Sequence, residues 1–253
     1  MLKLGIFGAT GRIGKLLLEE ISMDKETSLG SVFIRKELDI HNLEGVFVTN
    51  DLEAFIQNCD LVIDFSLPQA THALLQTLWH IPKPIVCGTT GLEQKTLDLI
   101  HKLSELMPIL YATNMSRGIA MLNKIVTLLS QSLSDADIEI CEIHHRHKKD
   151  APSGTALTLG ESCAKARGLE LSKIKVCNRE GNIGERKKDE IAIMSLRGGD
   201  VAGRHTVGLY MDGEYLELTH NATSRLTFAK GALNAAKWLI KQPAGLYNIE
   251  NIF

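Results

Sequence analysis

The chain has 253 residues, 44% of them hydrophobic, with 28 Lys and Arg against 30 Asp and Glu for a formal net charge of −2. That is apolar material for one large domain or two of modest size, and the near-balanced charge leaves no cationic surplus to attract nucleic acid or an acidic membrane. An aromatic content of 5% argues against base stacking. No apolar run approaches the roughly 18 residues of a membrane span. The five cysteines, Cys59, Cys87, Cys141, Cys163 and Cys177, are scattered without a CxxC pair, so neither a disulfide framework nor a zinc ribbon is indicated. The expectation is a folded, cytoplasmic small-molecule enzyme, because a strand pattern starts at the first residues with no leader ahead of it.

Leu2, Leu4, Ile6 and Phe7 form a short apolar strand. The turn GATGRIG follows at once (Gly8, Ala9, Thr10, Gly11, Arg12, Ile13, Gly14), and then KLLLEEI with helical apolar spacing. Strand, glycine turn and helix in that order are what a dinucleotide site requires. The first glycine makes the tight turn, the chain passes close to a pyrophosphate, and the last glycine packs helix on sheet. The pyrophosphate would rest on the helix N-terminus. An ordinary glycine turn is the bland alternative, and the placement at a strand exit argues against it. The second strand, within LGSVFIRKE, runs out at Ile34, Arg35 and Lys36, where an NAD-selective site carries an acidic residue for the ribose hydroxyls. Two cations without a carboxylate suit a 2′-phosphate, so Arg35 and Lys36 are expected to hold cofactor and NADPH to serve at least as well as NADH. A solvated loop is the alternative reading.

CDLVIDFSLP, PIVCGTTGL and PILYATNMSRG are apolar strands that end in small polar or glycine residues and lead into helical spacing. Ligands of open α/β sheets gather at the carboxyl ends of strands. Asp64, Phe65 and Ser66, then Gly88, Thr89 and Thr90, then Ala112, Thr113, Asn114 and Met115 are therefore expected to line the nicotinamide side. Beyond the helix candidate MSRGIAMLNKIVTLLSQSL the texture changes. The strand DIEICEIHH, a basic loop and the helix TALTLGESCAKARG give way to the β-like runs KIKVCNRE, DEIAIMSLRG, GRHTVGLYMDG and EYLELTHNA, with an Asp-Gly hairpin signal in MDGEY. The tail SRLTFAKGALNAAKWLIKQPAGLY reads as an amphipathic helix with a Gly/Pro stop, expected to return to the nucleotide domain. The fold class is thus α/β: a Rossmann-like dinucleotide-binding domain with a parallel sheet, residues 1–115 and 224–253, plus a second α+β domain, residues 116–223, for substrate binding and oligomerisation. Hinges near Ser116 and Thr223 would allow closure.

EIHHRHKKDAPSGTA, from Glu142 to Ala156, sets three histidines, two lysines and an arginine ahead of a Pro-Ser-Gly-Thr turn that can open a helix. His144, His145 and Lys148 offer proton-transfer groups and fixed charge, and the backbone N–H groups of Ser153, Gly154 and Thr155 suit a carboxylate. Two alternatives stand beside this reading. The first is a solvated basic face. The second, a metal site on His144, His145 and His147, lacks a nearby Cys or carboxylate partner set, and no metal is expected.

Together GATGRIG, VIDFS, CGTTG, ATNMS, EIHHRHKKDAPSGTA, RGGDVAGRHTV and THNATSRLTFAKGA resemble one family across nearly the whole chain, the 4-hydroxy-tetrahydrodipicolinate (dihydrodipicolinate) reductases of the diaminopimelate and lysine pathway. The resemblance implies hydride delivery from NADPH or NADH to a cyclic imine-type dicarboxylate. It implies His144 and Lys148 as the acid groups, His145, Lys148, Gly154, Thr155 and Arg225 on the substrate, and a homotetramer. The chain departs from the family in two places: Ile34 stands where members favouring NADH carry an acid, and Leu67 where some carry a basic residue able to touch the cofactor. A short-chain dehydrogenase is the rival enzyme. It would need a Tyr with a Lys four residues on, and Tyr111, Tyr210, Tyr215 and Tyr247 are followed there by Met115, Glu214, Thr219 and Asn251. A non-catalytic NADP sensor is the other rival, and the HHxxK cluster speaks against it.

Overall fold

The structure, a computed structural model, describes residues 1–35 and 45–252. In chain order the elements are β1 (Leu2–Phe7), α1 (Arg12–Met23), β2 (Thr27–Phe33), β3 (Phe47–Thr49), α2 (Leu52–Gln57), β4 (Leu61–Asp64), α3 (Pro68–Leu78), β5 (Ile85–Cys87), α4 (Gln94–Leu103) and β6 (Pro108–Tyr111). They continue with α5 (Arg117–Ser132), β7 (Asp137–His144), α6 (Gly154–Ala166), α7 (Leu171–Ile174), β8 (Lys175–Val176), β9 (Ile191–Arg197), β10 (Gly203–Met211), β11 (Glu214–Ala222), α8 (Leu226–Leu239) and β12 (Gly245–Tyr247). Two compact units result, the first from Met1–Ser116 with Arg225–Phe253 and the second from Arg117–Ser224.

The first unit holds a seven-stranded sheet of order β12-β6-β5-β4-β1-β2-β3, with every pairing parallel. Both faces of such a sheet need helical cover, and β4 and β5 are accordingly buried along their whole length. From β1 the order runs outward both ways, to β2 and β3 on one side and to β4, β5 and β6 on the other. That reversal puts a crevice at the carboxyl ends of β1 and β4. The tail is more than the expected helix. After α8 the chain adds β12, whose Leu246 pairs with Ile109 of β6. Three residues behind a Gly/Pro stop carry no readable alternation, and only the free edge of β6 recruits them.

The second unit holds a five-stranded mixed sheet of order β11-β10-β7-β9-β8. β10 runs antiparallel to β11 and β7, while β9 runs parallel to β7 and β8. The hairpin turns on Asp212 and Gly213, with Met211 paired to Glu214 and Gly213 at φ +84°. Only Lys175–Val176 of KIKVCNRE is strand. Beyond it Arg179 leaves the strand path to form a two-pronged bond with Glu139, at 2.7 and 2.8 Å. β7 alternates strictly in burial, with Ile138, Ile140, Glu142 and His144 on the inner face. The two isoleucines join Ile119, Leu122 and Val126 of α5 and Leu159 and Cys163 of α6 in one core. The last two inner positions of that row are polar.

Within the first unit, Gly231 in α8 lies so close to the chain that an added Cβ would sit 1.7 Å from the Met115 carbonyl oxygen. Gly to Ala in a helix interior ordinarily stabilises by about 1 kcal/mol, but a clash with backbone cannot be relieved by a rotamer change. Gly231→Ala is expected to destabilise by about 1–3 kcal/mol in urea unfolding. An unchanged midpoint would mean that α8 shifts without loss.

Candidate active site

In the first unit the turn after β1 has the shape of an anion cradle. Gly8 sits at φ +90°, and a Cβ there would lie 2.5 Å from the Phe65 carbonyl oxygen. Gly11 N donates to Gly8 O at 3.0 Å and closes the turn. Gly11 is the N-cap of α1, with no side chain capping the helix and no acidic residue in its first turn. Ala9 and Gly14 are buried against the sheet and Ile13 is half-buried, while Thr10 and Arg12 face outward. A helix start without a side-chain cap, beside a turn that only glycine can make, fits the pyrophosphate of a dinucleotide.

A cavity of about 300 Å³ opens here, lined among others by Gly8, Thr10, Gly11, Phe33, Arg35 and Ser66. Arg35 is exposed at its rim; Lys36, the other expected phosphate ligand, lies outside the described residues. Leu67, which stands where some family members carry a basic residue, lines the same cavity with an apolar side chain.

The neighbouring strand exits come together as parallel order demands. Phe65 N bonds Phe7 O at 3.0 Å, Gly88 N bonds Asp64 O at 2.9 Å, and Ala112 N bonds Cys87 O at 3.2 Å. Asp64 has no exposed surface, and its carboxylate is taken up by the Ser66 N–H at 2.9 Å and the Thr71 hydroxyl at 2.5 Å. Burial pushes its carboxyl above the ordinary range while the bonds from Ser66, Thr71 and Thr89 oppose that. Asp64 therefore shapes the Ser66 turn from inside. Thr89 does the same, its hydroxyl accepting from Ser66 N at 3.1 Å. Gly88 is packed against the Phe65 ring, where an added Cβ would stand 2.3 Å from Cε1, Thr90 and Thr113 are exposed, and Met115 is buried. Asn114 Oδ1 accepts from Ser116 N at 2.8 Å.

The basic loop of the second unit starts from a buried polar cluster. His144, 8% exposed at the end of β7, meets Glu142 Oε2 through Nδ1. Glu142 has no exposed surface, and its Oε1 accepts from Arg197 Nη2 at 2.9 Å and from Ser153 N at 3.1 Å. Burial alone would raise this carboxyl, but the bonds from His144 and Arg197 outweigh it and hold it well below the usual range. Ser153 caps α6, its hydroxyl accepting from Ala156 N at 3.2 Å and meeting His205 Nε2 at 3.2 Å. His205 stands edge-on to His144 with ring centroids 5.1 Å apart.

The remaining loop residues take separate positions. Lys148 Nζ pairs with Asp150 at 2.9 Å, and His145 is half-buried with its ring 6.3 Å from that of His147. Gly154 and Thr155 form the first turn of α6, and the space where a Gly154 Cβ would stand is open. The Ser153 N–H, expected to face a carboxylate ligand, is instead given to Glu142. Arg225 falls in the first unit, just before α8, where burial and then the charge of Arg12 lower its pKa. Sequence reasoning passed over Glu142, Arg197 and His205. A signal for the first was present: in ICEIHH the period of two that buries Ile140 also buries Glu142 and His144.

The first unit carries a glycine turn of dinucleotide-binding form and the second a buried imidazole–carboxylate pair, and the fold is that of the nicotinamide-dinucleotide oxidoreductases. The chain belongs to the dihydrodipicolinate reductase family: residues 2–115 match the model of the family's N-terminus and residues 118–253 that of its C-terminus. It is 63% identical over 252 residues to the 4-hydroxy-tetrahydrodipicolinate reductase of Wolinella succinogenes and 62% identical over 251 residues to that of Helicobacter hepaticus, covering 99% of this chain and 98% of the relative in both cases. Among solved structures, a dipicolinate-bound dihydrodipicolinate reductase from Paenisporosarcina sp. TG-14 superposes with a TM-score of 0.82 at 23% identity over the whole of both chains. A probable dehydrogenase from Thermotoga maritima shares the fold at a TM-score of 0.65 and 11% identity, over 99% of this chain and 92% of that one.

Burial and the neighbouring charge of His144 lower the pKa of His205 from the ordinary 6.5 to about 4. The unfolded chain therefore takes up a proton as pH falls below 6.5, and the folded protein does so only near 4. Stability present above pH 6.5 is lost as pH falls through that window. His205→Gln is expected to remove this loss, so that going from pH 7 to pH 5 lowers the unfolding free energy by about 2 kcal/mol more in the parent than in the variant. Parallel pH dependences would show that His205 titrates normally.

Proposed function

We propose that the protein reduces 4-hydroxy-tetrahydrodipicolinate to tetrahydrodipicolinate in diaminopimelate and lysine biosynthesis. Family membership over the full chain supports the reaction. The observation that carries the chemistry is the imidazole of His144, held at the exit of β7 where the basic loop leads into the N-terminal turn of α6. A reduced nicotinamide dinucleotide, when bound, supplies the hydride. Loss of water from the hydroxylated carbon gives the conjugated cyclic imine, and hydride addition leaves an electron pair on the ring that needs a proton. His144 holds that proton at Nε2, with Lys148 as the companion acid. One substrate, one hydride and one proton enter; tetrahydrodipicolinate, oxidised dinucleotide and water leave.

Two carboxylates on the substrate need fixed donors. We assign them to His145, Lys148, the Gly154–Thr155 turn and Arg225. Lys148 would leave Asp150, its partner in the loop, for the substrate. Arg225 shares a field with Arg12, and two neighbouring guanidiniums are relieved by an anion. The dinucleotide ligands are Gly8 to Gly14, Arg35 and Lys36, with Phe65, Ser66, Gly88, Thr90 and Ala112 to Met115 at the strand exits and Asp64 and Thr89 supporting them. Arg35 at the cavity rim and Ile34 in place of an acid support use of NADPH at least as well as NADH. A cytoplasmic homotetramer completes the proposal. The assembly is supported by the family and by exposed Tyr215 and Leu216 on the outer strand β11.

The reaction is tested by nicotinamide absorbance decay, with NADPH and NADH in parallel and substrate made in situ from pyruvate and aspartate semialdehyde by the preceding synthase. Oxidation should depend on that synthase. Its absence with either cofactor, in folded protein that binds NADPH, would leave a dinucleotide sensor in its place. Arg35→Ala is expected to raise KM for NADPH about 10-fold, the scale of one charge-assisted contact, and to leave KM for NADH within about twofold. Equal effects on both cofactors would remove Arg35 from the 2′-phosphate site.

A further inference from the structure

We infer that Glu142 is the positioning residue of the acid. Its buried carboxylate faces Nδ1 of His144 and keeps a proton on that nitrogen, so that Nε2 is left as the atom that hands a proton to the substrate. The inference rests on the reading of His144 as that acid.

The inner face of β7 reads Ile138, Ile140, Glu142, His144, and a carboxylate without exposed surface in such a row is strongly unfavourable unless its oxygens are occupied. They are served unequally. Oε1 accepts from the Arg197 guanidinium and the Ser153 N–H, the Ser195 hydroxyl lies against the same carboxylate, and Oε2 stands in ion-pair contact with His144 Nδ1. Arg197 is itself fixed by a second bond, from Nη2 to the Asp150 carbonyl at 2.7 Å, and sheet pairing sets it beside His144 on the neighbouring strand. The carboxylate therefore cannot rotate without breaking two bonds.

An imidazole in water prefers the proton on the nitrogen remote from its Cβ, and a fixed carboxylate at Nδ1 reverses that preference. With the ring protonated at both nitrogens, the Nδ1 proton remains on the Glu142 side and Nε2 loses its proton to the substrate. Nε2 lies next to Gly203, where an added Cβ would stand 3.1 Å away, so the backbone of β10 approaches it without a side chain intervening. The Ser153 N–H links the same carboxylate to the cap of α6. Acid and anion-binding turn are thereby positioned by one group.

Glu142→Gln discriminates sharply. Two donors, Arg197 and the Ser153 N–H, select the amide oxygen for the Oε1 place, which turns the NH2 toward His144 Nδ1. The ring must then accept at Nδ1, carry its proton on Nε2 when neutral, and resist taking a second. In long-range 1H–15N spectra, neutral His144 should carry its proton on Nδ1 in the parent and on Nε2 in Glu142→Gln. The variant should lose at least about 100-fold in kcat, between the roughly 10–100-fold cost of losing a histidine's orienting partner and the roughly 10⁴-fold cost of a wrong tautomer. KM for the dicarboxylate and Kd for NADPH should stay within about threefold. Glu142→Asp, which keeps the charge, should restore the parent tautomer and part of kcat. A parent ring protonated on Nε2 overturns the inference without any variant, which covers failure of Glu142→Gln to fold. A folded Glu142→Gln with parental kcat also overturns it. His144→Gln is measured alongside: if it keeps full turnover, the assignment of the acid falls and the inference with it. If His144→Gln is inactive and Glu142→Gln is not, only the positioning role is lost.

Discussion

The buried carboxylate of Glu142 is the constraint on which the second unit depends. An ionised side chain inside a sheet core is tolerable only when hydrogen bonds replace the water it has lost, and Glu142 is served by three elements at once: Arg197 from β9, the Ser153 N–H from the cap of α6, and His144 from its own strand. Each partner is fixed in turn by this demand. Arg197 reaches on to the Asp150 carbonyl and anchors the basic loop; Ser153 holds α6 through Ala156. A loop dense in like charges would otherwise repel itself into solvent. Its two ends are instead tied to one carboxylate, and His205, kept uncharged by burial, fills the remaining side of the cluster without adding to the positive charge.

The first unit solves a different problem by backbone geometry. The turn after β1 is defined by what is absent: no Cβ at Gly8, where one would strike Phe65, no capping side chain on α1 and no acid in its first turn, which is the form a pyrophosphate needs. Side chains enter one layer further in. Asp64 and Thr89 sit under the Ser66 turn and hold it by three hydrogen bonds, two to its backbone N–H and one through Thr71. Both stand at strand exits, and both are buried, with their polar atoms turned to the Ser66 backbone and Thr71.

How much was legible depended on the range of the interaction responsible. The glycine turn, the strand exits and the Asp-Gly hairpin are set by local steric rules, and they stand where the letters put them. β12 was not legible, because three residues pair only when a free sheet edge meets them, nor was the shortness of β8, where Arg179 is drawn away to Glu139. His144 was visible as a basic loop residue. Its orientation was not, since that comes from Glu142, itself detectable through the period of two in ICEIHH, and from Arg197, which lies 55 residues beyond Glu142 and is brought back by the pairing of β9 with β7.

The sequence alone determined the class of fold, the glycine turn after β1 and the family, because these rest on contiguous patterns whose physics acts over a few residues. The tertiary structure alone decided which polar groups lose contact with water. It buried Asp64 and left Thr90 exposed at a neighbouring strand exit, gave the Ser153 N–H to a carboxylate of the protein, and joined Glu142, His144, Arg197 and His205 into one cluster. Desolvation is a property of the packed interior, and only there does an unpaired charge cost enough to dictate the positions of its partners.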